Sequence, residues 1–465
     1  MKNIKFLLLV FLTSSIFLLS GCSDFLDVND NPTKVSDVSI TSLLPTVIEA
    51  TSKASHQSML SANRVSHHLD GVGSYYGEFT NGAAWVTIYL KALNNIRIIK
   101  EKSAESPHYK GIANVLEAMH VGLVADTWED APYSEALQGS NNVSPAYDSQ
   151  EELYNSIFKL LDQAIALLES GTSFLTPGND DLAYGGDMEK WVKLAHSLKA
   201  RYLLHLSTKS NNWAEIAAEA ALGISENDDN FQIFYNSTTN FNPIHDIALS
   251  NQTGNLSVTF GKMFIDMLNG ESYGVDDPRL TTITTLFPDS TVYRGQANYD
   301  VELLDYSCDI GLTNWYSSIS APVVMMSNAE TRFIQAEAEM NMGGNALASY
   351  EAGIKAHMNM VGVVEEDITT YMTDPAVATV SLENIMKEKY ISLIFNPESW
   401  NDLKRHKFDE SLFRGFVNVN SSNFDEIERN GPGQRALYPS TELSRNEAQV
   451  NAHLKEFDAP MWKDL

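Results

Sequence analysis

The sequence predicts a mainly α-helical protein, in which a scaffold of stacked helical hairpins carries an irregular, loop-rich second subdomain. Apolar residues recur every three to four positions through most of residues 42–226 and again after residue 322, which is the period of an amphipathic helix. Between these regions the helical period fades, and Asn, Ser, Thr, Gly and Asp dominate residues 227–322. Binding residues tend to lie in long segments of this kind.

The segment 329–358 shows the helical hairpin most clearly. Its apolar residues have helical spacing on both sides of a glycine pair, with Phe333, Ala336 and Met340 before the pair and Leu347, Tyr350, Ile354 and Met358 after it. Gly343 and Gly344 can adopt the left-handed conformation that ends a helix, and Asn345 follows where an N-cap would begin the next one. The pattern is typical of a tetratricopeptide hairpin, which needs neighbouring hairpins to bury its apolar face, although an ordinary helical hairpin would also show it.

The start of the chain predicts an exported lipoprotein. Lys2 and Lys5 precede an apolar run, residues 6–19, which has the length of a signal-peptide core and is short for a membrane span. The run ends in Leu19-Ser20-Gly21-Cys22, which resembles a bacterial lipobox. Cys22 would then be the lipidated first residue of the mature chain, and the polar residues after it would form a tether. The alternative is a plain secretory signal with a chance cysteine.

Further helices are expected at residues 42–61, 85–102, 108–124, 151–168, 188–206, 213–224, 260–268 and 381–395. Together with the N-terminal signals, these helices divide the chain into five regions. They are a signal peptide (1–21), a lipidated tether (22–41), a helical-repeat scaffold (42–226), a loop-rich ligand-binding insertion (227–322) and a helical hairpin with the C-terminal region (323–465).

Composition excludes several classes of function. The formal net charge of -28 argues against nucleic acid and against direct docking on anionic lipid, so that contact with a membrane is expected through the N-terminal lipid only. There are two cysteines, and lipidation of Cys22 would leave Cys308 without a disulfide partner, which favours a small buried residue. No GxSxG, HExxH or Walker motif is present, and no cofactor or metal is expected.

Several motifs, in order along the chain, resemble the SusD/RagB family of surface lipoproteins, specifically its second, SusD-like branch. They are the lipobox with its acidic tether, Asp126-Thr127-Trp128-Glu129-Asp130-Ala131-Pro132-Tyr133, Asp277-Pro278-Arg279-Leu280, the hairpin at 329–358, Glu388-Lys389-Tyr390-Ile391-Ser392-Leu393, Glu398-Ser399-Trp400, Arg435-Ala436-Leu437-Tyr438-Pro439 with Glu442 and Asn446, and Trp462-Lys463-Asp464. The Trp128-Glu129 pair and Tyr390 depart from the family's usual residues. The motifs cover nearly the whole chain, and their combined order is specific.

The resemblance implies a fold of tetratricopeptide-like hairpins with an irregular second half. It also implies a lipid-anchored protein on the outer membrane, facing the cell exterior, that acts as a hinged lid on a SusC-type TonB-dependent transporter. Such proteins capture oligosaccharides or polysaccharides, or peptides in some members, and deliver them without catalysis. The motifs themselves, including Trp128 and Trp400, are expected to serve packing, as is Trp191.

Ligand-binding residues are expected on two loops whose positions resemble those from which the family presents an aromatic platform. Aromatic side chains pack on the apolar face of a sugar ring, and polar side chains bind its hydroxyls. The candidates are Tyr75, Tyr76, Asn81 and Trp85 in the first loop and Tyr306, Asn314, Trp315 and Tyr316 in the second. Trp85 could instead be a core residue, because Trp85, Tyr89 and Leu93 share helical spacing. Trp315 lies among polar residues and is expected to be exposed.

Other functions remain open from the sequence. A surface glycoside hydrolase would need two carboxylates ~5 Å or ~6.5–9.5 Å apart, and a chain with 60 acidic residues leaves such a pair possible. Peptide capture would need a groove with polar groups and would not need Trp85 or Trp315. The His67-His68-Asp70 segment is interpreted as a polar loop and not as a metal site, because no second cluster at ligand spacing accompanies it. Among glycans, a neutral laminarin-type β-glucan is the first choice, since a negative surface disfavours anionic polymers.

Overall fold

The structure is a computed structural model that describes residues 38–70, 78–255, 258–297, 306–418 and 431–465. The described chain from Ile40 to Leu465 forms one compact unit. Cys22 and the predicted signal peptide lie outside the described residues, as do Tyr75 and Tyr76. Among the described helices, none has the length and apolar character needed to cross a membrane. The predicted boundaries at residues 226 and 322 stay predictions.

Helices dominate the described chain. The α-helices are α1 (Ile40–Val65), α2 (Gly82–Val86), α3 (Asn94–Lys102), α4 (Pro107–Trp128), α5 (Gln150–Leu168), α6 (Met188–His205), α7 (Trp213–Leu222), α8 (Pro243–Gln252), α9 (Lys262–Leu268), α10 (Leu280–Ile283), α11 (Asn328–Asn341), α12 (Leu347–Met360), α13 (Glu365–Thr373), α14 (Pro375–Ala378), α15 (Leu382–Ser392), α16 (Glu398–Arg405), α17 (Ser440–Arg445) and α18 (Glu447–Val450). A π-helix, Thr87–Leu93, joins α2 to α3, and 3-10 turns lie at Gly139–Asn141, Asn227–Asp229 and Trp462–Asp464.

The strands of the described chain are short and pair two by two, all antiparallel. They are β1 (Leu69–Asp70) with β3 (Thr259–Phe260), β2 (Phe231–Ile233) with β6 (Val323–Met326), and β4 (Thr285–Leu286) with β5 (Cys308–Asp309). In the β4–β5 pair, Thr285 lies opposite Asp309 and Leu286 opposite Cys308. Each of these two-stranded pairs connects loops, and the pairs do not combine into a larger sheet.

Successive scaffold helices pack on one another in the order of the sequence. Helix α4 packs on α5, α5 on α6 and α6 on α7, and the series continues from α11 through α12 to α15. Helix α7 packs directly on α11, so the loop-rich chain between them leaves the stack and then returns to it. The prediction of a helical-hairpin scaffold with an irregular second region is confirmed.

Close packing between helices depends on small residues at their contacts. A Cβ atom on Gly353 of α12 would lie 2.6 Å from Cε1 of Phe333 on α11, and one on Gly122 of α4 would lie 2.2 Å from the hydroxyl of Tyr202 on α6. Both rings are buried. The glycines therefore let each aromatic ring approach the neighbouring backbone, which is how these helices bury apolar area.

The turn between α11 and α12 forms largely as predicted. Gly343 has a φ of 73°, in the left-handed region that ends a helix. The N-cap position of α12 is Ala346, one residue after the predicted Asn345. The side chain of Asn345 still serves the helix, because its Oδ1 accepts the N–H of Leu347 at 3.1 Å.

Helix α8, in the loop-rich region, was not predicted. Asn242 caps it by accepting the N–H groups of Ile244 (2.6 Å) and His245 (3.2 Å), and Pro243 occupies its first turn. The capping signal was present in the sequence. Only Ile244, Ala248 and Asn251 of this helix are buried, so its apolar period was too weak to reveal it.

Candidate functional site

Of the four candidates in the first predicted loop, the structure describes Asn81 and Trp85, and neither belongs to an exposed aromatic platform. Trp85 is only 6% exposed, because its ring packs edge-on against Trp128 at 5.0 Å and lies 4.6 Å from Tyr89. Trp85 therefore belongs to the core, which corrects its assignment as a sugar-stacking residue. Asn81 is half-buried, and its Oδ1 accepts a hydrogen bond from Ser61 of α1 at 2.6 Å. The side-chain oxygen of Asn81 is therefore already hydrogen-bonded to another part of the protein.

In the second loop, two of the predicted residues hold the backbone in place instead of facing solvent. Asn314 is 9% exposed, and its Nδ2 donates to the carbonyl oxygens of Thr282 (3.3 Å) and Thr284 (3.0 Å). Its Oδ1 accepts from Thr285 Oγ1 at 2.8 Å and from the N–H of Gly311 at 2.9 Å. With these bonds made, Asn314 joins its loop to the segment that precedes β4, and its assignment as a ligand contact is corrected.

Tyr316 is buried below this loop, at 3% exposure. Its hydroxyl lies 3.0 Å from Nε2 of His357, whose Nδ1 lies 3.1 Å from the Arg279 guanidinium. Burial and the positive charge of Arg279 lower the pKa of His357 well below its ordinary value, so the imidazole is neutral and its Nδ1 accepts from Arg279. Tyr316 is therefore a supporting residue, held through His357 by the buried Arg279, and its assignment as a sugar contact is also corrected.

Trp315 and Tyr306 remain partly open to solvent. The Trp315 ring stands edge-on to Tyr316, with 4.7 Å between ring centroids, and the backbone N–H of Trp315 donates to the carbonyl of Thr282 at 3.3 Å. Tyr306 packs against the half-buried Phe287, with 5.5 Å between ring centroids. Phe287 follows β4 and Tyr306 precedes β5, so both lie at one end of the β4–β5 pair. Thr282, which Trp315 contacts, precedes β4, so Trp315 lies near the other end.

We call these three half-buried rings, Phe287, Tyr306 and Trp315, together with the exposed Thr285 and Thr313, the ribbon surface. Aromatic rings on a rigid backbone lose little conformational entropy when a ligand packs on them. The hydroxyl of Thr313 can both donate and accept hydrogen bonds, and that of Thr285, which donates to Asn314, can still accept one. The ribbon surface therefore offers the two kinds of contact that a sugar ring needs.

Sequence reasoning missed Phe287, although a signal was available. The segments that carry Phe287 and Trp315, residues 280–288 and 310–329, contain no Asp, Glu, Lys or Arg, whereas 20% of the whole chain is charged. A charge-free stretch that remains partly exposed in an acidic protein marks a surface suited to a neutral ligand. The same criterion would have drawn attention to Phe287 before the structure was known.

The nearby carboxylate of Asp309 is held within the fold by hydrogen bonds. Asn251 Nδ2 donates to both of its oxygens, at 3.0 and 3.1 Å, and the Ile310 N–H donates to Oδ1 at 2.7 Å. Burial raises the pKa of Asp309, while these hydrogen bonds lower it less. The carboxyl group therefore connects β5 to α8 through the side chain of Asn251.

The segments that carry the family resemblance contact one another in the interior. Arg279 pairs with Glu388, Arg435 with Glu129, and the Trp128 indole donates to the carbonyl of Leu437 at 3.2 Å. Trp128, Trp191 and Trp400 are all buried, and so is Cys308. The interpretation of these residues as packing residues is confirmed, since their partners are other parts of the core. His68, from the predicted polar loop, is also buried and stacks on Tyr390 at 3.6 Å.

Within the described residues, Asp126, His205 and Glu398 form a buried cluster of metal-ligand type. Nδ1 of His205 lies 3.2 Å from Asp126, and Nε2 lies 2.9 Å from Glu398. One metal ion binds one nitrogen of a histidine, so an ion would separate His205 from one of the two carboxylates. Burial lowers the pKa of His205, but the attraction of Asp126 and Glu398 outweighs it and the pKa is raised. The cluster fits a protonated imidazole that forms ion pairs with both carboxylates.

Comparison with protein families supports the resemblance seen in the sequence. The model of the second SusD-like family, described as "Starch-binding associating with outer membrane", matches residues 32–439. The chain belongs to this SusD-like family. Comparison with curated protein sequences gives no match.

Solved structures show the same fold for other members of the SusD/RagB group. A SusD/RagB family protein from Bacteroides thetaiotaomicron is 23% identical, with a TM-score of 0.73 over 92% of this chain and 99% of that chain. A chitin-binding SusD homolog from Flavobacterium johnsoniae is 23% identical, with a TM-score of 0.75 over 92% and 98%. A SusD homolog from Bacteroides uniformis is 22% identical, with a TM-score of 0.74 over 92% and 100%. At these identities the likeness establishes the fold of this SusD-like protein.

Proposed function

We propose that this SusD-like protein is a glycan-binding lipoprotein of the cell surface. It captures an oligosaccharide or polysaccharide at the ribbon surface and delivers it to a SusC-type TonB-dependent transporter. Lipid on Cys22 anchors it in the outer membrane, with the folded unit facing the cell exterior. The observation that carries the proposal is the set of half-buried rings of Phe287, Tyr306 and Trp315, of which Phe287 and Trp315 lie in charge-free segments.

The chemistry of this surface favours a neutral glycan. The apolar C–H face of a sugar packs on an aromatic ring, and hydroxyl groups at its rim bind Thr285 or Thr313. A net charge of -28 disfavours sulfated or uronic polymers. We take a laminarin-type β-glucan as the first substrate to test. The chitin-binding relative from Flavobacterium johnsoniae adds chitin oligosaccharides as the second.

Capture without hydrolysis is the expected chemistry. Asp309, the carboxylate on the β4–β5 pair, is already held by Asn251 and Ile310. The folding interactions of Asn314 and Tyr316 fix the backbone under Trp315 before any ligand arrives. Binding is therefore expected to need little rearrangement of the protein, which lowers the cost of association.

Native affinity gels cast with a panel of neutral and anionic polysaccharides test the proposal. The chain from Ser23 onward is expected to be retarded by at least one neutral glycan and to lose that retardation in Trp315→Ala. The control is Phe174→Ala, which removes an aromatic side chain that is 77% exposed and lies outside the ribbon surface, and which should leave the retardation unchanged. Trp191→Ala would not serve as a control, because it removes a ring from the core. No retardation by any glycan would refute glycan capture, and shortening of a glycan during the run would identify an enzyme.

Peptide capture is the second candidate, and one feature favours it. A cleft of about 300 Å³ lies between Thr80 and the C-terminal segments, lined mainly by apolar groups that include Leu437, Leu443 and Leu454. The ammonium group of Lys455 at its edge pairs with Glu129. An apolar cleft with polar groups at its edge suits a peptide side chain. Calorimetry with casein-derived peptides distinguishes the two functions. Peptide binding in this cleft would be unaffected by Trp315→Ala and weakened by Leu443→Asp.

A further inference from the structure

Two exposed phenylalanines lie outside the ribbon surface and have no role in the core. Phe234 is 66% exposed and Phe241 is 42% exposed. They flank a short loop that follows β2 and precedes α8. An exposed ring is costly in water, and two rings beside one rigid loop form a patch that a binding partner can cover.

The loop that carries these two rings has a defined shape. The Asn236 N–H donates to the carbonyl of Asn240 at 2.9 Å, which closes the loop. Asn236 Oδ1 also accepts the N–H groups of Thr238 (3.0 Å) and Thr239 (2.8 Å). Tyr235, between the two rings in the sequence, is tied to α1 through a 2.8 Å contact between its hydroxyl and Ser52. Phe234 and Phe241 are therefore presented on an ordered support.

This loop is joined to the segment that continues from Trp315. The N–H of Asn242 donates to the carbonyl of Ile319 at 3.1 Å, and its Nδ2 donates to that of Ala321 at 2.8 Å. Nδ1 of His245 lies 2.9 Å from the carbonyl oxygen of Ser317. The four steps along the chain from the Cα atom of Trp315 to that of Ile319 can span at most ~14 Å. The loop that carries Phe241 is thus a direct neighbour of the segment that carries Trp315.

The charge pattern identifies the kind of ligand. Residues 230–245 contain no Asp, Glu, Lys or Arg, although 20% of the chain is charged. The side chains between the two rings are hydroxyls and amides, and Ser237, Thr238, Thr239 and Asn240 are all exposed. A surface of aromatic rings with uncharged hydrogen-bonding groups matches a neutral polyhydroxylated chain. It offers no charged group for a lipid headgroup or a charged peptide.

We propose that Phe234 and Phe241 form a second carbohydrate subsite, which continues the ribbon surface along a single glycan chain. This inference rests on the proposed function. It deepens that function by naming the substrate class as neutral glycans long enough to span both subsites, in preference to short oligosaccharides. A chain that occupies both subsites gains the second set of contacts without a second loss of translational freedom.

The test compares ligand lengths in the full chain purified in detergent. The probes are trimers, hexamers and soluble polymers of β-1,3-glucan and of β-1,4-linked N-acetylglucosamine, measured by calorimetry or by affinity electrophoresis. The wild-type protein is expected to bind the polymer at least ~10-fold more tightly than the trimer. The double variant Phe234→Ala with Phe241→Ala is expected to lose about 10-fold in polymer affinity and to keep its trimer affinity.

Matched variants separate this inference from the proposed function. Phe174→Ala removes an exposed ring at another place and is expected to leave all affinities unchanged. Trp315→Ala is expected to remove binding of both lengths. Equal trimer and polymer affinities in the wild type would overturn the second subsite alone. The same conclusion would follow if the double variant bound polymer as tightly as Phe174→Ala, or if it also lost the trimer. Failure of every glycan to bind the wild type would overturn the subsite together with the proposed function.

Discussion

Arg279 and Glu388, which are 109 residues apart in the sequence, meet in an ion pair from which water is excluded. The distance from Nη2 of Arg279 to Oε2 of Glu388 is 2.5 Å, and neither side chain is exposed. Asp277 binds the same guanidinium through both of its oxygens, and Tyr371 donates to the other oxygen of Glu388 at 2.6 Å. The pair joins the start of α10 to α15, below the loop that carries Trp315.

Replacement of Arg279 should destabilise the fold strongly. Arg279→Met would leave Asp277 and Glu388 buried beside each other with the guanidinium removed, and such a loss typically costs ~3–5 kcal/mol. The free energy of unfolding in guanidinium chloride measures it. The control is Arg97→Met, because Arg97 pairs with Glu101 on the exposed surface of α3 and such pairs contribute only about 0.5 kcal/mol. Similar losses in both variants would contradict the assignment of a buried ion pair.

His205 should make stability depend on pH above neutrality. Its pKa is raised in the folded protein by Asp126 and Glu398, so its contribution is fully present below the unfolded value of about 6.5. That contribution is lost as the pH rises through the higher folded pKa. The measurement is the free energy of unfolding of the wild type and of His205→Asn between about pH 6 and pH 9. The advantage of the wild type should shrink as the pH rises.

Other charged groups near this cluster are the same in both proteins. Arg201 lies 3.5 Å from Glu398, Tyr154 donates to Asp126, and Lys404 donates to the carbonyl of Asp126 at 2.7 Å. Burial lowers the pKa of Lys404 to about 7, which makes stability rise with pH and opposes the effect of His205. The difference between wild type and variant therefore reports on His205. A pH-independent difference would refute the protonated imidazole.

Gly353→Ala should destabilise the hairpin of α11 and α12. The added methyl group would lie 2.6 Å from the buried ring of Phe333, and overpacking of this kind costs ~1–3 kcal/mol. The higher helix propensity of alanine offsets up to ~1 kcal/mol of this. Gly171→Ala is the matched control, because nothing lies within 4 Å of its added Cβ. Thermal unfolding should show a lower midpoint for Gly353→Ala only.

The two tryptophans of the predicted platform should behave differently on truncation. Trp85→Ala removes a buried ring and should cost ~3–5 kcal/mol of stability. Trp315→Ala removes a ring that is partly hydrated and should cost less, about 1–2 kcal/mol, while glycan retardation disappears. Denaturant unfolding and affinity gels on both variants provide the comparison. Loss of glycan binding in a stably folded Trp85→Ala, with Trp315→Ala unaffected, would reverse the assignment.

Cys308 should be unreactive until the protein unfolds. Its side chain is fully buried, and burial raises the pKa of its thiol to about 12, so little of the reactive thiolate is present at neutral pH. Alkylation by iodoacetamide, followed by mass spectrometry on the chain from Ser23, should be absent in buffer and complete in denaturant. Rapid labelling of the native protein would contradict the burial of this strand.

The sequence contained enough information for the helices and the family, because both depend on local patterns. Phe333 on α11 and Ile354 on α12 each belong to a set of apolar residues at helical spacing, and this spacing determines which face of a helix is apolar whatever covers that face. The ordered motifs that identify a SusD-like chain proved to be packing contacts, such as Arg279 with Glu388. Such contacts constrain the residue types strongly, which is why they are visible in the sequence.

The exposure of individual aromatic residues was decided only by the tertiary structure. Trp85, Trp315 and Tyr316 are similar side chains near loops, yet Trp128 and Tyr89 cover the first, solvent reaches the second, and His357 holds the third. Trp128 and His357 are distant in the sequence from the rings that they contact, so helical spacing, which left Trp85 either in the core or at the surface, could not decide between these outcomes. The sequence by itself therefore determined the helical scaffold and the family, whereas long-range packing decided which rings remain available to a ligand.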